Sequence, residues 1–443
     1  MNKNTLITGL IGLFCYLPTQ AEVKFSGYVE GELRLYTEDG LLKEQKEAMA
    51  SIAAEPELSW KSDSEDHSIR FKPFARLSDA DGHRDHVDIR ELYYNYAGSG
   101  WQFEVGINKV YWGVVESLHL VDVINQTDNV ESTTGEEKLG QPMISFGLEQ
   151  SWGNLDFYIL PYFRERVFTE GPERFQLSLN GAAINIDESK SLYDSHEEEQ
   201  HVDYAARWAN SFESVDVGIS YFTGTNRDPI PIVIDIDTTA LAVTKMGSYY
   251  EQMEQTGLAL QYLYEDWAFK LESTARHLDT GDFTSAVVGF EYTLSDVGSA
   301  GADVGLLFEY LWNDRSDVSI LPMSLEALSP STIASLPPLT PPLLAALDAQ
   351  TTIPGDYLSP FENDIFIATR FALNDIASTE FLAGVIVDAD DRTTSASFEG
   401  STRIGDDVRI SLNINIFEHV SKQSAFYALR KDDQIEAKLA WYF

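Results

Sequence analysis

Arg70, Lys72, Arg76 and Arg90 lie on two consecutive segments in which apolar and polar residues alternate. The long connection at 112–142 that follows holds Glu116, Asp122, Asp128 and Glu131. A basic wall facing an acidic segment sets up a transverse field, which can orient a dipolar solute but breaks no bond. Groups suited to bond chemistry are scarcer. Asp79, Asp81, His83, Asp85 and His86 form one carboxylate–imidazole cluster, and His196, Glu197, Glu198, Glu199 and His201 form another. Neither has metal-ligand spacing, and Gly82 is misplaced for a calcium-binding loop. No Gly-x-Ser-x-Gly elbow marks an activated serine. The single cysteine, Cys15, falls in a segment expected to be removed, so thiolate chemistry and disulfides are not expected. The expectation is a protein that is not an enzyme and uses no cofactor or metal.

These charges need elements to hold them, and the periodicity supplies strands. In the final stretch Ile435, Ala437, Leu439, Trp441 and Phe443 fall on one face, and Glu436, Lys438, Ala440 and Tyr442 on the other. Scanning for the same two-residue alternation gives about 18 strands. They are expected at 23–36, 52–61, 68–77, 87–96, 101–110, 143–150, 155–163, 202–211 and 215–224. The rest are expected at 255–264, 267–276, 285–294, 302–312, 364–373, 379–388, 394–403, 408–417 and 435–443. The phase changes near Glu91, which predicts a bulge. Connections alternate long and short, and an even strand number returns both termini to one side.

The N-terminus adds a compartment. Lys3, an apolar run from Leu6 to Leu17, and small residues Thr19 and Ala21 predict an export signal over 1–21. Residues 22–443 would then form one domain, starting too close to the cleavage site to leave a plug domain. No later segment approaches the roughly 18 consecutive apolar residues of a membrane helix. The net charge of −40 excludes nucleic-acid binding through a general basic surface. The predicted fold is all-β, a transmembrane antiparallel β-barrel of about 18 strands with short periplasmic turns and long extracellular loops. All eight tryptophans lie near predicted strand ends, as an interfacial belt requires.

A barrel of that width leaves an aqueous lumen unless a loop narrows it. The residues expected to line it are Arg70, Lys72, Arg76, Arg90, Arg207, Lys270, Glu272, Arg276, Glu309 and Arg370, with Glu116, Asp122 and Asp128 of the long connection opposite the basic wall. Inward positions carry both signs, among them Glu30, Glu32, Glu399, Glu436 and Lys438. A pore for polyanions needs a predominance of Arg and Lys, so a mixed lining suits neutral, weakly charged or cationic solutes. The 313–363 connection is apolar at Ile320, Met323, Leu325, Leu328 and 336–344, and predicts either an exposed binding patch or a packed lid.

The residues Ile89-Arg90-Glu91-Leu92-Tyr93, Gly106 through Trp112-Gly113, and Asp122 through Asp128 resemble porin-like Gram-negative outer-membrane families. These include an uncharacterised group known only as a domain of unknown function and, more distantly, the alginate-export porins. Leu160 through Arg166, Phe290-Glu291-Tyr292 and Glu309-Tyr310 are similar to the same group. The resemblance implies passage of small molecules or hydrophobic compounds across the outer membrane. It also implies contact with membrane lipid and lipopolysaccharide, and recognition of Trp441 and Phe443 by the barrel-insertion machinery. The chain departs from an alginate exporter in lacking a basic lumen. A carrier of hydrophobic compounds and a non-conducting adhesin or structural barrel are the alternatives, and oligomeric state is open.

Overall fold

Strands form where the sequence alternates, because placing one side chain on one face sends its neighbour to the other. The computed structural model describes residues 22–443 except 81, 132–134, 170, 172, 176, 180–181, 185, 238–241, 299–300, 339, 360 and 423. The expected export signal, with Cys15, lies outside the described residues. Seven strands come first: β1 (Glu22–Tyr36), β2 (Ala48–Lys61), β3 (His67–Ser78), β4 (His86–Gly98), β5 (Trp101–Asn108), β6 (Gln141–Gln150) and β7 (Gly153–Leu160). Next come β8 (Asp203–Phe212), β9 (Val215–Thr225), β10 (Gln252–Tyr264), β11 (Trp267–Leu278), β12 (Phe283–Val297) and β13 (Ala302–Asn313). The last are β14 (Asn363–Ala372), β15 (Glu380–Asp388), β16 (Thr394–Ile404), β17 (Val408–Glu418) and β18 (Gln434–Tyr442).

Each strand pairs antiparallel with its neighbour in sequence, and β18 pairs back onto β1, with Leu33 opposite Ala437 and Leu35 opposite Ile435. The result is a closed antiparallel barrel of 18 strands. Closure removes the edge whose amides hydrocarbon could not satisfy. Phe443 helps to seal it, exchanging two 3.1 Å backbone hydrogen bonds with Gly27.

Every strand expected from the alternation is present. β2 starts at Ala48 rather than at 52, because Ala48, Met49 and Ala50 are apolar in succession and show no two-residue period. β5 stops at Asn108 because the chain then leaves the wall, with the Val110 N–H donating to Asn125 Oδ1. The phase change near Glu91 is a bulge: Lys72 pairs with Glu91 but Pro73 with Ile89, so Arg90 is the extra residue. Pro73 has no N–H to offer, so the interruption falls where a rung would already be missing.

Outward side chains are apolar and uncovered: Leu33, Leu35, Ile367 and Leu439 are each between 43% and 54% exposed. Their inward neighbours Glu32, Arg34 and Glu436 are buried. Trp101, Trp152, Trp312 and Trp441 are exposed near strand ends, as the belt requires. Trp112 is not in that belt. It is buried inside the barrel against Val121, Met143 and Leu160.

Long connections crowd one end of the barrel. There a hairpin (Ile230–Asp237 with Ala242–Tyr250) packs against the 314–362 connection, burying Ile230, Ile232, Val233, Val318, Ile320 and Ile353 together. Of the apolar residues expected in that connection, Ile320 and Met323 join this lid and Leu328 is buried. Pro337, Pro338, Pro341 and Pro342 are exposed.

Ile367→Arg should cost about 2–4 kcal/mol in denaturant unfolding from lipid vesicles, as a cation near the bilayer midplane does. The same change at Ile376, in the exposed β14–β15 turn, should stay within about 0.5 kcal/mol. Equal tolerance at both positions would mean that the outer face meets water.

Candidate functional site

The connection from 109 to 140 is too apolar to sit in solvent, with Val110, Trp112, Val114, Val115, Leu118, Leu120, Val121, Val123 and Ile124. It turns into the barrel and lies on a matching apolar stretch of inner wall. Val121, Val123 and Ile124 pack with Ala205, Phe222, Met253, Ala259, Leu278 and Phe283. Val115 packs with Val287, Leu307, Leu311, Phe366 and Ala368.

A loop laid on an apolar wall would strand its backbone amides. Two wall carboxylates answer them. Glu272 Oε1 accepts from the Val114 N–H at 2.6 Å and the Val115 N–H at 3.1 Å, and Oε2 accepts from the Val121 N–H at 3.2 Å. Glu309 accepts from the Glu116 N–H at 2.8 Å and the Ser117 N–H at 2.9 Å. Asp122 holds the loop's own turn, accepting from the Trp112 and Gly113 N–H groups. His119 Nδ1 stands 3.7 Å from Glu272, whose charge holds the imidazole above its ordinary value.

The far end of the loop docks by charge. Asp128 meets Arg90 at 2.7 Å, and Glu131 meets Arg76 at 2.8 Å. The bulge brings Arg90 to this contact, where its guanidinium also lies 4.5 Å over the Phe74 ring. Glu116 pairs with Arg370. Burial pushes the Glu131 carboxyl up, but Arg76 and Arg84 outweigh it and hold the group below its ordinary value. These expected partners are therefore in contact, not apart across a gap.

What the loop leaves open is a cavity of about 450 Å³ against β1–β4 and β16–β18. Its cations are Arg34, Lys72, Arg76, Arg84, Arg90, Lys109, Arg174 and Lys438. Each lies between 2.6 and 3.9 Å from a carboxylate. Two of the bordering acids, Glu136 of the loop and Glu399 of β16, are different. Among the described residues neither has an ion pair or a hydrogen bond, and the Glu399 charge acts on Glu136. Burial, then Glu399, raises the Glu136 carboxyl above the ordinary range.

Above the cavity, the 161–202 connection crosses the mouth. Arg174 is fully buried and donates to the carbonyls of Glu38 (2.6 Å), Lys46 (2.9 Å) and Lys431 (3.2 Å) and to Asp432 Oδ1 (3.1 Å). One side chain thus ties three connections together.

The remaining expected residues are dispersed. Arg70 pairs along the wall with Glu57 and Glu91, and Lys72 with Glu55. Arg207 stands over Trp112 at 6.0 Å. Lys270 and Arg370 both reach Glu291, and Arg276 pairs with Asp228 at 3.0 Å. Of the clusters weighed for bond chemistry, Asp81 lies outside the described residues. His201 Nδ1 donates to Asp203 Oδ1 at 2.8 Å, beside the Arg227–Asp203 ion pair. Sequence reasoning missed Arg84, Arg174 and Glu136, which come from connections where no period marks a facing, and Lys109, which follows the end of β5 at Asn108 although the alternation carried that strand to 110. The adjacent acidic pair Glu136-Glu137 was the one available signal.

No protein-family model and no curated protein matches the sequence. Among solved structures, a BenF-like porin from Pseudomonas fluorescens Pf-5 is similar over 96% of this chain and 98% of its own, at 10% identity and TM-score 0.51. That likeness shows the porin-type barrel fold. The OmpT outer-membrane protein of Vibrio cholerae matches over 96% and 99%, at 8% identity and TM-score 0.42. A mutant form of the Rhodopseudomonas blastica porin matches over 95% and 100%, at 13% identity and TM-score 0.40.

Removing both wall acceptors, by Glu272→Ala with Glu309→Ala, should lower hydrogen-exchange protection at 114–121 by at least tenfold. Hydrogen bonds to charged groups are worth about 1.5–3 kcal/mol each. Unchanged protection would mean that apolar packing alone holds the loop. The His119 contribution has a defined sign. Its value is raised in the folded state, so the attraction to Glu272 is complete below the ordinary histidine value of 6.5 and fades as pH rises through the raised one. Protection factors at 114–121 should therefore fall from pH 5.5 to 8.5, and His119→Gln should flatten that dependence.

Proposed function

We propose that the protein is an outer-membrane channel for passive passage of small neutral, weakly charged or cationic solutes. One observation carries the reading: around the cavity the cations are held in ion pairs, while Glu136 and Glu399 have no partner among the described residues. A paired guanidinium contributes little net field to a passing ion, whereas a free carboxylate in a narrow, low-dielectric passage attracts cations. A polyanion would find no free cations here, which disfavours alginate. The porin fold and the uncovered apolar outer face support the location. Lipid and lipopolysaccharide would surround that face, and the barrel-insertion machinery would recognise Trp441 and Phe443. The sequence resemblance to the uncharacterised porin-like group supports the same reading.

Planar-bilayer recording tests it. Stepwise conductance with cation over anion selectivity is expected, and Glu136→Gln with Glu399→Gln should bring the permeability ratio close to one. Because the Glu136 carboxyl is raised, cation preference should begin to fall above the ordinary carboxylate range as pH is lowered. A sealed barrel would sink the channel and favour an adhesin or structural role.

A further inference from the structure

The upper corner of the cavity carries polar groups that the fold does not use. Tyr36 on β1 faces Gln434 on β18 across the barrel seam. Arg84 arrives from the connection before β4, its Nη2 bonded to Glu32 and its backbone N–H to Glu173. The neighbouring Arg174 and Phe175 close the corner from above, the guanidinium 4.5 Å over the Tyr36 ring and the Phe175 ring 6.1 Å from it, edge on. All three side chains are more than nine-tenths buried: Arg84 is 2%, Gln434 6% and Tyr36 7% exposed. Yet Arg84 Nη1, Gln434 Oε1 and the Tyr36 hydroxyl have no hydrogen-bond partner among the described residues. Arg84 and Gln434 both border the cavity of about 450 Å³.

Buried polar groups without partners are costly and few in folded proteins, so three at one corner call for a ligand. Their types select its chemistry. Arg84 Nη1 can only donate, Gln434 Oε1 can only accept, and the Tyr36 hydroxyl does either. A carboxylate would satisfy Arg84 but oppose Gln434 Oε1, and an ammonium would do the reverse. A hydroxyl accepts from the first and donates to the second. The formal charges nearby are already matched, with Arg34, Arg76, Arg84 and Lys438 set against Glu30, Glu32, Glu131 and Glu436.

We propose that this corner is a binding subsite for a neutral polyhydroxylated solute of disaccharide size or smaller, which the cavity volume accommodates. The site deepens the channel reading and rests on it for access from outside.

The test uses the full mature barrel in a detergent without a sugar headgroup. Sucrose should give saturable heat in titration calorimetry and a concentration-dependent block of single-channel current. Tyr36→Phe removes one oxygen that has no protein partner, so folding and heat-modifiable migration should be unchanged. Sucrose affinity should nevertheless fall about two- to tenfold, the usual worth of one hydrogen bond. Gln434→Met should weaken it similarly. Absence of heat and block in a conducting barrel, or unaltered affinity in both variants, would overturn the subsite while leaving the channel intact. Saturable heat in a barrel that passes no current would uphold the subsite and overturn the channel.

Discussion

Glu272 and Glu309 are wall carboxylates that accept backbone N–H groups, and the internal architecture depends on that contact. Between them they take five amides from 114–121 of the lumen loop. Apolar packing can hold valines against a wall, but it cannot satisfy the amides that come with them. A barrel of 18 strands is too wide for its own side chains to fill. The inward fold of this one loop therefore decides how much of the lumen stays open and which wall residues face water.

The consequence is a division of the inner wall. Strands β8 to β14 present an apolar stretch that the loop covers, and the open passage is left to β1–β4 and β16–β18. On that open side the charges are organised as a lattice. Glu32 alone lies within 4.0 Å of Arg34, Arg76, Arg84 and Lys438. Such networks hold side chains in place, because breaking one member leaves buried charge uncompensated. The polar groups left without a partner among the described residues are few on this side: the acids Glu136 and Glu399, Gln434 Oε1, the Tyr36 hydroxyl and the Nη1 donor of Arg84, whose Nη2 belongs to the lattice.

The mouth is governed by a different kind of contact. Arg174 directs its donors mainly to backbone carbonyls from two connections far apart in sequence, with Asp432 supplying the charge partner. A planar guanidinium can bridge several acceptors at fixed angles, which a lysine could not. The apolar lid over β9–β10 and β13–β14 completes the roof by ordinary burial. Loop docking below and strapping above thus use separate physics on the same cavity.

The alternation of apolar and polar residues determined by itself the strands, a count of about 18, the antiparallel barrel and a bulge near Glu91, which the structure puts at Arg90. Each of these is a local consequence of a two-residue period and of the need to satisfy every amide in a strand. Which inward charges would pair with one another was another matter. Glu116 finds Arg370, Val114 finds Glu272, and Arg174 finds Asp432 across separations of 254, 158 and 258 residues. No period records such meetings, because loops follow no repeat and their direction is set by the surface on which they land. The sequence could say which side chains face inward; only the tertiary structure decided which of those remain free to meet a solute.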